Sequence, residues 1–318
     1  MKTQIYKLYE KIRKIRTGGV RDYLRRKKSY QENNFNKSIP LFSSQLNKLE
    51  SKNIKKFILP LWEENNKRIR NIFLNNNFND FSFLRNPFIR ETMFITSEGS
   101  LMRSQLAFLK SKLNKEKLKY LLEEEYVGNP IISSINYKTS HNTIHNLFHI
   151  ALYLDLIKTN PSDIKDIVEW GGGYGNLARI FRKINSNQTY TIIDLPLFSC
   201  IQWIYLSSVF GEENINFITN DKLKIKEGKI NLLPVCFLEK FKLNADLFIS
   251  TWALSESSKY SQEYVIKNNW FNAKHRLLAF QNHIDKNLDA SPIIDFAKRE
   301  NLKIFSVKHL DGNSYSFD

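Results

Sequence analysis

The stretch VEWGGGYGNLA, residues 168–178, places alternating glycines between an apolar run and a helical pattern. Ile167 and Val168 end a predicted buried strand, and helical spacing begins at Asn176. Glycine allows a sharp turn and a close approach of the backbone to a ligand. The start of the following helix offers free N–H groups. The stretch therefore predicts a ligand-binding loop between a strand and a helix.

Short apolar runs alternate with helical stretches on both sides of this loop. We predict strands at 164–170, 190–194, 214–219, 246–252, 276–281, 303–309 and 313–317, with helices near 141–158, 175–185, 197–210, 260–270 and 290–300. Such alternation predicts a parallel sheet with crossover helices. Only residues 310–312 separate the last two strands, too few for a helix, so these strands pair antiparallel. The predicted fold class is α/β, a parallel sheet with a C-terminal antiparallel strand, an arrangement that resembles the Rossmann-like sheet of class I methyltransferases.

The first 130 residues show a different pattern, and we predict a mostly α-helical N-terminal region, 1–130, before a catalytic domain, 131–318. Gly18-Gly19 is expected to break a first helix. Amphipathic spacing predicts helices at 54–73 and at 101–125, the second ended by Gly128-Asn129-Pro130. We expect this region to cover the open edge of the sheet and to shape the site that binds the substrate.

The charge is concentrated at the start of the chain. Residues 1–28 carry +9 of the formal net charge of +16, with apolar residues at helical spacing. Such a segment either lies on an anionic membrane surface or acidic partner, or is a solvated basic helix. The two cysteines, Cys200 and Cys236, have no zinc or disulfide spacing, and no apolar run has transmembrane length. We expect a cytoplasmic protein, with peripheral contact at the inner membrane surface through the basic segment as the alternative location.

Two acidic residues indicate what the glycine loop binds. Glu169 begins the pattern E-x-G-x-G-x-G, whose glycines are Gly171, Gly173 and Gly175. Asp194 ends the next predicted strand. A dinucleotide-binding loop has G-x-G-x-x-G and holds pyrophosphate, which an adjacent acid would repel. Glu169 suits the ammonium group of a methionine moiety, and Asp194 suits ribose hydroxyls. The predicted cofactor is therefore S-adenosylmethionine.

Three residues at or just after predicted strand ends complete the candidate cofactor set: Leu195, Asn220 and Trp252. Ligands of open α/β sheets bind at the carboxyl ends of the strands. For Asn220, and for its neighbour Asp221, contact with the adenine amine competes with the simpler interpretation of a polar loop residue.

The segments VEWGGGYGNLARIF (168–181), IIDLPLF (192–198), LSSVFGE (206–212) and STWALSES (250–257) together resemble the bacterial sugar O-methyltransferases. The resemblance covers about the last two-thirds of the chain at the level of motif order. It implies S-adenosylmethionine as the methyl donor and a hydroxyl of a sugar, in a nucleotide sugar or a surface polysaccharide, as the acceptor.

Methyl transfer to an alcohol needs a base for the hydroxyl proton. Glu256 and His283 lie just beyond predicted strands, and His141, His145 and His149 share one helix face because they are spaced by four. Glu256, His283, His149 and His145 are the candidate bases. The histidine face is either part of the acceptor pocket, a metal site or simple packing against the sheet, with packing favoured over metal.

No metal-ligand set is assigned. Asp285 and Asp289 either bind a divalent ion or serve as turn and helix-cap residues.

Two other functions remain open at this stage. The basic charge suits RNA, but STWA after the fourth predicted strand (250–253) is not the Asn/Asp-Pro-Pro-aromatic motif that grips an exocyclic amine, so no specific nucleic acid is expected. A transferase for another small molecule, or a silent cofactor-binding partner in a glycan-assembly complex, are the alternatives. The intact Glu169, glycines and Asp194 argue against the silent partner.

Overall fold

The computed structural model describes residues 28–75, 82–94, 99–282, 289–307 and 310–317. The predicted Gly18-Gly19 break and most of the basic segment 1–28 lie outside these ranges. So do two of the candidate residues, His283 and Asp285.

In the described part of the N-terminal region the helices are α1 (Lys28–Glu50), α2 (Pro60–Asn75), α3 (Pro87–Met93), α4 (Gly99–Lys112) and α5 (Lys115–Leu122). The predicted helix at 101–125 is wrong in one respect, because two helices occupy it. The Asn114 side chain accepts a hydrogen bond from the Lys117 amide at 2.8 Å and thereby caps a new helix. The predicted helix at 54–73 begins later, at Pro60, a favoured residue for a first helical turn.

The rest of the chain alternates strands and helices. They are β1 (Ile132–Ser134), β2 (Thr139–Ser140), α6 (His141–Ile157), β3 (Asp166–Trp170), α7 (Asn176–Ile184), β4 (Thr189–Asp194), α8 (Pro196–Phe210), β5 (Ile215–Phe217), β6 (Ile230–Pro234), β7 (Leu247–Thr251), α9 (Lys259–Lys267), α10 (Asn269–Asn272), β8 (His275–Gln281), α11 (Ser291–Arg299), β9 (Lys303–Ser306) and β10 (Asn313–Phe317). All seven predicted strands have a counterpart here, and the predicted helices from 141 onward do too.

Eight of these strands form one sheet in the order β5-β6-β4-β3-β7-β8-β10-β9. All pairs from β5 to β8 are parallel, and β10 lies antiparallel between β8 and β9. This arrangement confirms the predicted fold, a mostly parallel sheet of the class I methyltransferase type closed by an antiparallel C-terminal strand. The order reverses between β3 and β7, and open α/β sheets bind ligands at such a reversal.

Strand β6 was not predicted, and because of its position the preceding strand β5 does not pair with β4. β6 separates β5 from β4, so β5 lies at the sheet edge and away from the centre. The loop after β5 is therefore remote from the order reversal. The loop after β6, which begins at Val235, follows the strand paired with β4 and therefore lies nearer to the reversal.

The N-terminal region and the sheet share one hydrophobic core. Phe35, Phe42 and Leu46 of α1 are at most 2% exposed and belong to the same buried cluster as the sheet, and α1 packs along α8. Within the described residues no helix combines the length and apolar character needed to cross a membrane. The boundary at residue 130 stays a prediction, but no gap in the core marks it.

A buried polar network also joins the two regions. Arg179 of α7 is fully buried and donates to the Glu123 carbonyl at 3.0 Å and to Thr143 Oγ1 at 2.9 Å. Glu124 lies 3.7 Å from the guanidinium and accepts short hydrogen bonds from the hydroxyls of Ser140 and Thr143. Burial lowers the pKa of Arg179, but the neighbouring Tyr205, Glu124 and Glu125 together raise it by more, so the arginine stays charged.

We predict that Arg179→Met destabilises the protein by about 3–5 kcal/mol, because Glu124 would keep a buried charge without its cation. Methionine preserves much of the side-chain volume, so the loss reports the charge. Urea unfolding of the purified protein measures it. Arg299→Met is the control, since Arg299 pairs with Glu300 on the surface, and it should cost less than about 1 kcal/mol. Equal losses in the two variants would contradict the role given to Arg179.

Candidate active site

The glycine loop joins β3 to α7 and carries a backbone that only glycine adopts readily. Gly171, Gly173 and Gly175 have φ of +77°, +56° and +96°. A Cβ on Gly171 would lie 2.0 Å from the Cβ of Ala253, so the loop after β3 and the loop after β7 touch. A Cβ on Gly173 would meet nothing within 4 Å. The backbone at Gly173 therefore faces open space and is accessible to a ligand.

Glu169 lies at the carboxyl end of β3 and is only 1% exposed. Its Oε2 accepts a hydrogen bond from the Tyr190 hydroxyl at 2.9 Å. Burial raises the pKa of the carboxyl to about 8, and the Tyr190 hydrogen bond opposes that rise while the negative charge of Asp194 adds to it. A carboxyl held this way gains from a cation brought beside it.

Asp194 ends β4 and holds the glycine loop in place. Its Oδ2 accepts from the Gly172 amide at 2.9 Å and from the Gln202 side chain at 2.7 Å, and its Oδ1 accepts from the Leu195 amide at 2.8 Å. Burial raises the pKa to about 7 in spite of these donors. A carboxylate offers about four acceptor positions, so one remains on Oδ1 for a ligand hydroxyl.

The carboxyl ends of β3, β4, β6 and β7 border a cavity of about 710 Å³, a size typical of small-molecule sites. On the sheet side the lining includes Glu169, Gly171, Gly172, Gly173, Asp194, Leu195, Val235 and Trp252. On the opposite side α2, α3 and α6 contribute Trp62, Asn65, Arg68, Phe88, Glu91, Asn142, His145, Asn146 and His149. The N-terminal region thus forms part of the wall.

Most of the predicted cofactor residues meet at this cavity. Gly175 does not line it, but forms the N-cap position of α7 and packs on Leu206. Asn220 lies elsewhere, after the edge strand β5, where its side chain accepts from the Lys222 amide at 3.0 Å. This corrects its placement, and the contrary interpretation as a polar loop residue fits the observed turn. Val235, which the sequence did not single out, occupies the corresponding place after β6.

Trp252 follows β7 with a φ of +68°, a conformation that is rare and strained for a bulky residue. Its indole N–H donates to Asn313 Oδ1 of β10 at 2.7 Å, and its ring lies 6.1 Å from the His145 ring in a stacked arrangement. These contacts hold the strained residue at the centre of the cavity wall.

His145 and His149 line the cavity and contact each other, as their spacing of four predicts. Their Nε2 atoms are 2.8 Å apart, Gln105 Nε2 lies 2.7 Å from His145 Nδ1, and the Tyr315 hydroxyl lies 3.0 Å from His149 Nδ1. Every ring nitrogen of the pair is therefore engaged within the protein. Either histidine would have to break a hydrogen bond to accept a substrate proton.

The other histidine and acid candidates lie apart from this pair. His141 begins α6, one turn before His145. Asp289 accepts from the Ser291 amide at 2.9 Å, two residues along the chain, as a turn residue does, while Ala290 occupies the cap position of α11. In the described ranges, no group of three or more His, Cys, Asp and Glu side chains could hold a metal ion.

Glu256 lines the cavity from the loop after β7. Its Oε1 accepts a hydrogen bond from Gln281 Nε2 at 2.7 Å. Burial raises the pKa of this carboxyl, while the Gln281 hydrogen bond and the neighbouring Trp62 side chain of α2 lower it. Of the candidate bases within the described residues, Glu256 alone lines the cavity and has more hydrogen-bond acceptor positions than its protein partners occupy.

No family model and no curated protein matches the chain. Solved structures do match parts of it. Mitomycin 7-O-methyltransferase is 13% identical with a TM-score of 0.32, over 55% of this chain and 56% of that one, so this chain spans just over half its length.

Two further solved structures match a larger part of the chain. Human N-acetylserotonin methyltransferase in complex with SAM is 13% identical with a TM-score of 0.32, over 68% and 70%. The 16S rRNA methylase ArmA is 16% identical with a TM-score of 0.33, over 68% and 95%. Similarity of this order concerns the fold, so the chemistry proposed below rests on this chain's own residues.

The raised pKa of Glu169, about 8 against an ordinary 4.5, makes stability depend on pH. Between these values the folded state binds more protons than the unfolded state, so stability falls as pH rises. In Glu169→Gln the hydrogen bond from Tyr190 can persist and the ionisable group is gone. We predict that this variant gains free energy of unfolding relative to the parent protein as pH rises from about 5 to about 8.5.

Denaturant unfolding across that range measures the effect. Glu227→Gln is the control because Glu227 is exposed, and its difference from the parent should stay constant with pH. A Glu169→Gln difference that is flat across the range would show that the carboxyl is not desolvated as described.

Proposed function

We propose that this chain is an S-adenosylmethionine-dependent methyltransferase that methylates a hydroxyl group of a sugar. The observation that carries the proposal is the pair of buried carboxyls, Glu169 and Asp194, beside the open backbone of Gly173. Two acids with raised pKa favour a cationic ligand with hydroxyl donors and disfavour a pyrophosphate.

The residues present fit each part of that cofactor. Glu169 suits the ammonium group, the remaining acceptor position of Asp194 suits a ribose hydroxyl, and Val235 offers an apolar contact beside the adenine. When bound, S-adenosylmethionine supplies an electrophilic methyl group on a sulfonium. The protein's part is to orient the acceptor hydroxyl in line with that group, to exclude water and to take the hydroxyl proton.

We assign the proton to Glu256. Burial raises the pKa of its carboxyl above the ordinary value, which makes it a stronger base than an exposed carboxylate. His145 and His149 are retained as wall residues of the acceptor pocket, because their nitrogens already bond to each other, Gln105 and Tyr315. His283 stays a prediction because it lies outside the described residues.

The acceptor side of the cavity supports a polyhydroxylated ligand. Its wall mixes amides, such as Asn65, Asn142 and Asn146, with the aromatic faces of Trp62 and Phe88. Amides satisfy hydroxyl groups, and aromatic rings cover the apolar face of a sugar ring. The motif resemblance points to the same substrate class, as a nucleotide sugar or a surface polysaccharide in bacteria.

Other substrates are outcomes of the tests below, because a second small molecule or RNA would also use the cofactor site. The basic segment 1–28 keeps its prediction of peripheral contact with an anionic membrane. Cosedimentation of the full chain with anionic vesicles, compared with neutral ones, tests that contact.

For the cofactor, we predict that calorimetry detects binding of S-adenosylhomocysteine and none of NADH. Asp194→Asn should weaken S-adenosylhomocysteine binding by about tenfold or more, because an amide cannot accept from every donor that the carboxylate satisfies. Asp221→Asn, on the exposed loop after β5, is the matched control and should bind as the parent does. Binding of NADH with no binding of S-adenosylhomocysteine would refute the proposed cofactor.

For the acceptor, a radiolabelled methyl donor is supplied with nucleotide sugars, extracted polysaccharide or tRNA. We expect label in the sugar fractions, and we expect Glu256→Gln to lower kcat by about 10²–10⁴-fold while S-adenosylhomocysteine still binds. Label in tRNA alone would exclude the sugar. No label in any fraction, with intact cofactor binding, would favour a silent partner protein.

A further inference from the structure

Gln281 and Ser255 form a hydrogen-bonded chain that ends on Glu256. Gln281 is the last residue of β8 and is 7% exposed, and Ser255 is 1% exposed. The Gln281 amide nitrogen donates to Glu256 Oε1 at 2.7 Å. The Ser255 hydroxyl lies within hydrogen-bond distance of two acceptors, the Gln281 Oε1 and, at 2.7 Å, the Trp252 carbonyl.

The hydroxyl has one hydrogen, so it donates to only one of these acceptors at a time. When it donates to Gln281 Oε1, the amide nitrogen of Gln281 faces Glu256 and donates to it, which is the arrangement that a carboxylate favours. When it donates to the Trp252 carbonyl, its oxygen is free to accept from the Gln281 amide nitrogen. The Gln281 oxygen then faces Glu256, which must carry a proton in order to donate. Both arrangements satisfy every group with the same heavy-atom positions, since amide oxygen and nitrogen are interchangeable in shape.

We propose that Gln281 and Ser255 form a reversible hydrogen-bond pair that holds the Glu256 carboxyl in place in both of its protonation states. The inference rests on the proposed function only in giving Glu256 the role of base. Gln281 is then a positioning residue for that base, and neither it nor Ser255 gains or loses a proton.

The proton balance is simple. The hydroxyl proton of the acceptor ends on Glu256, the Gln281 amide turns over, and the Ser255 hydroxyl turns from Gln281 to the Trp252 carbonyl. A base held by fixed donors alone would lose a partner once protonated and would leave its position. An indole N–H such as that of the neighbouring Trp62 could not replace the Gln281 amide here, because it donates and cannot accept.

The first test observes the amide directly, without cofactor or acceptor. In NMR spectra of the full chain, the side-chain amide signals of Gln281, assigned by their loss in Gln281→Met, should shift with the same midpoint as the ¹³C-labelled carboxyl of Glu256. Glu256→Gln places a neutral group with a donor where the protonated acid would be. In that variant the Gln281 signals should stay at their low-pH position at every pH. Signals that ignore the titration of Glu256 would overturn the inference, whether or not the protein is a methyltransferase.

The second test separates positioning from stability. Gln281→Met should lower kcat by about tenfold or more and leave the KM for S-adenosylmethionine within about twofold, because the base is displaced and the cofactor site is untouched. Gln188→Met is the matched control: Gln188 is a buried amide that donates to the Ile164 carbonyl, remote from the cavity, and this variant should keep the parent kcat in its folded fraction.

The two tests distinguish the inference from the proposed function. If the amide signals follow Glu256 and kcat falls only in Gln281→Met, the inference stands in full. If the signals follow Glu256 but kcat is unchanged in Gln281→Met, the hydrogen-bond pair is supported and the assignment of Glu256 as base is overturned. Equal losses of kcat in Gln281→Met and Gln188→Met would show a merely structural role and overturn the positioning role.

Discussion

The hydrogen bond from the Gly172 amide to Asp194 is the contact on which the site depends. It joins the loop after β3 to the end of β4, and the same carboxylate also binds the Leu195 amide and the Gln202 side chain. Because Asp194 gathers these donors, the glycine backbone is fixed before any ligand arrives. The cost is the desolvation of two carboxyls, which their raised pKa values record. A cationic ligand relieves that cost, so the same constraint that shapes the loop also selects its ligand.

The loop is held from its other side by the N-terminal region. Asn176, the first residue of α7, is hydrogen-bonded to Arg179 and Thr143. The Thr143 hydroxyl in turn donates to Glu124, which belongs to the segment that precedes the sheet in the chain. Phe35 and Leu46 of α1 lie in the same core as the sheet. The N-terminal region is connected to the loop by buried charges and to the sheet by a common core. It is therefore an integral part of the folded unit. It is part of what keeps the cofactor loop rigid.

Sequence patterns predicted the elements around the loop because β3 and β4 are rich in β-branched and apolar residues and each carries an acid at or near its end. It missed β6, whose residues Ile230–Pro234 follow a lysine-rich turn and are too few to show a period. That omission moved the expected adenine contact to Asn220, one strand too far. The pairing of His145 with His149 followed from helical spacing alone. The Gln105, Tyr315 and Gln281 contacts had no sequence signal, because they join residues that only the folded sheet brings together.

The candidate base lies where the two regions of the chain meet. Glu256 accepts a hydrogen bond from Gln281 at the end of β8 and has Trp62, from the first turn of α2, close enough to lower its pKa. Trp62 also packs edge-on against Phe198 of α8, with ring centroids 5.7 Å apart, so α2 is seated on the sheet's own helix. Cofactor recognition therefore belongs to the strand ends, whereas the setting of the base needs both regions. Under the proposed function, this division explains why the loop would select the methyl donor while the acceptor would depend on residues scattered through the N-terminal helices.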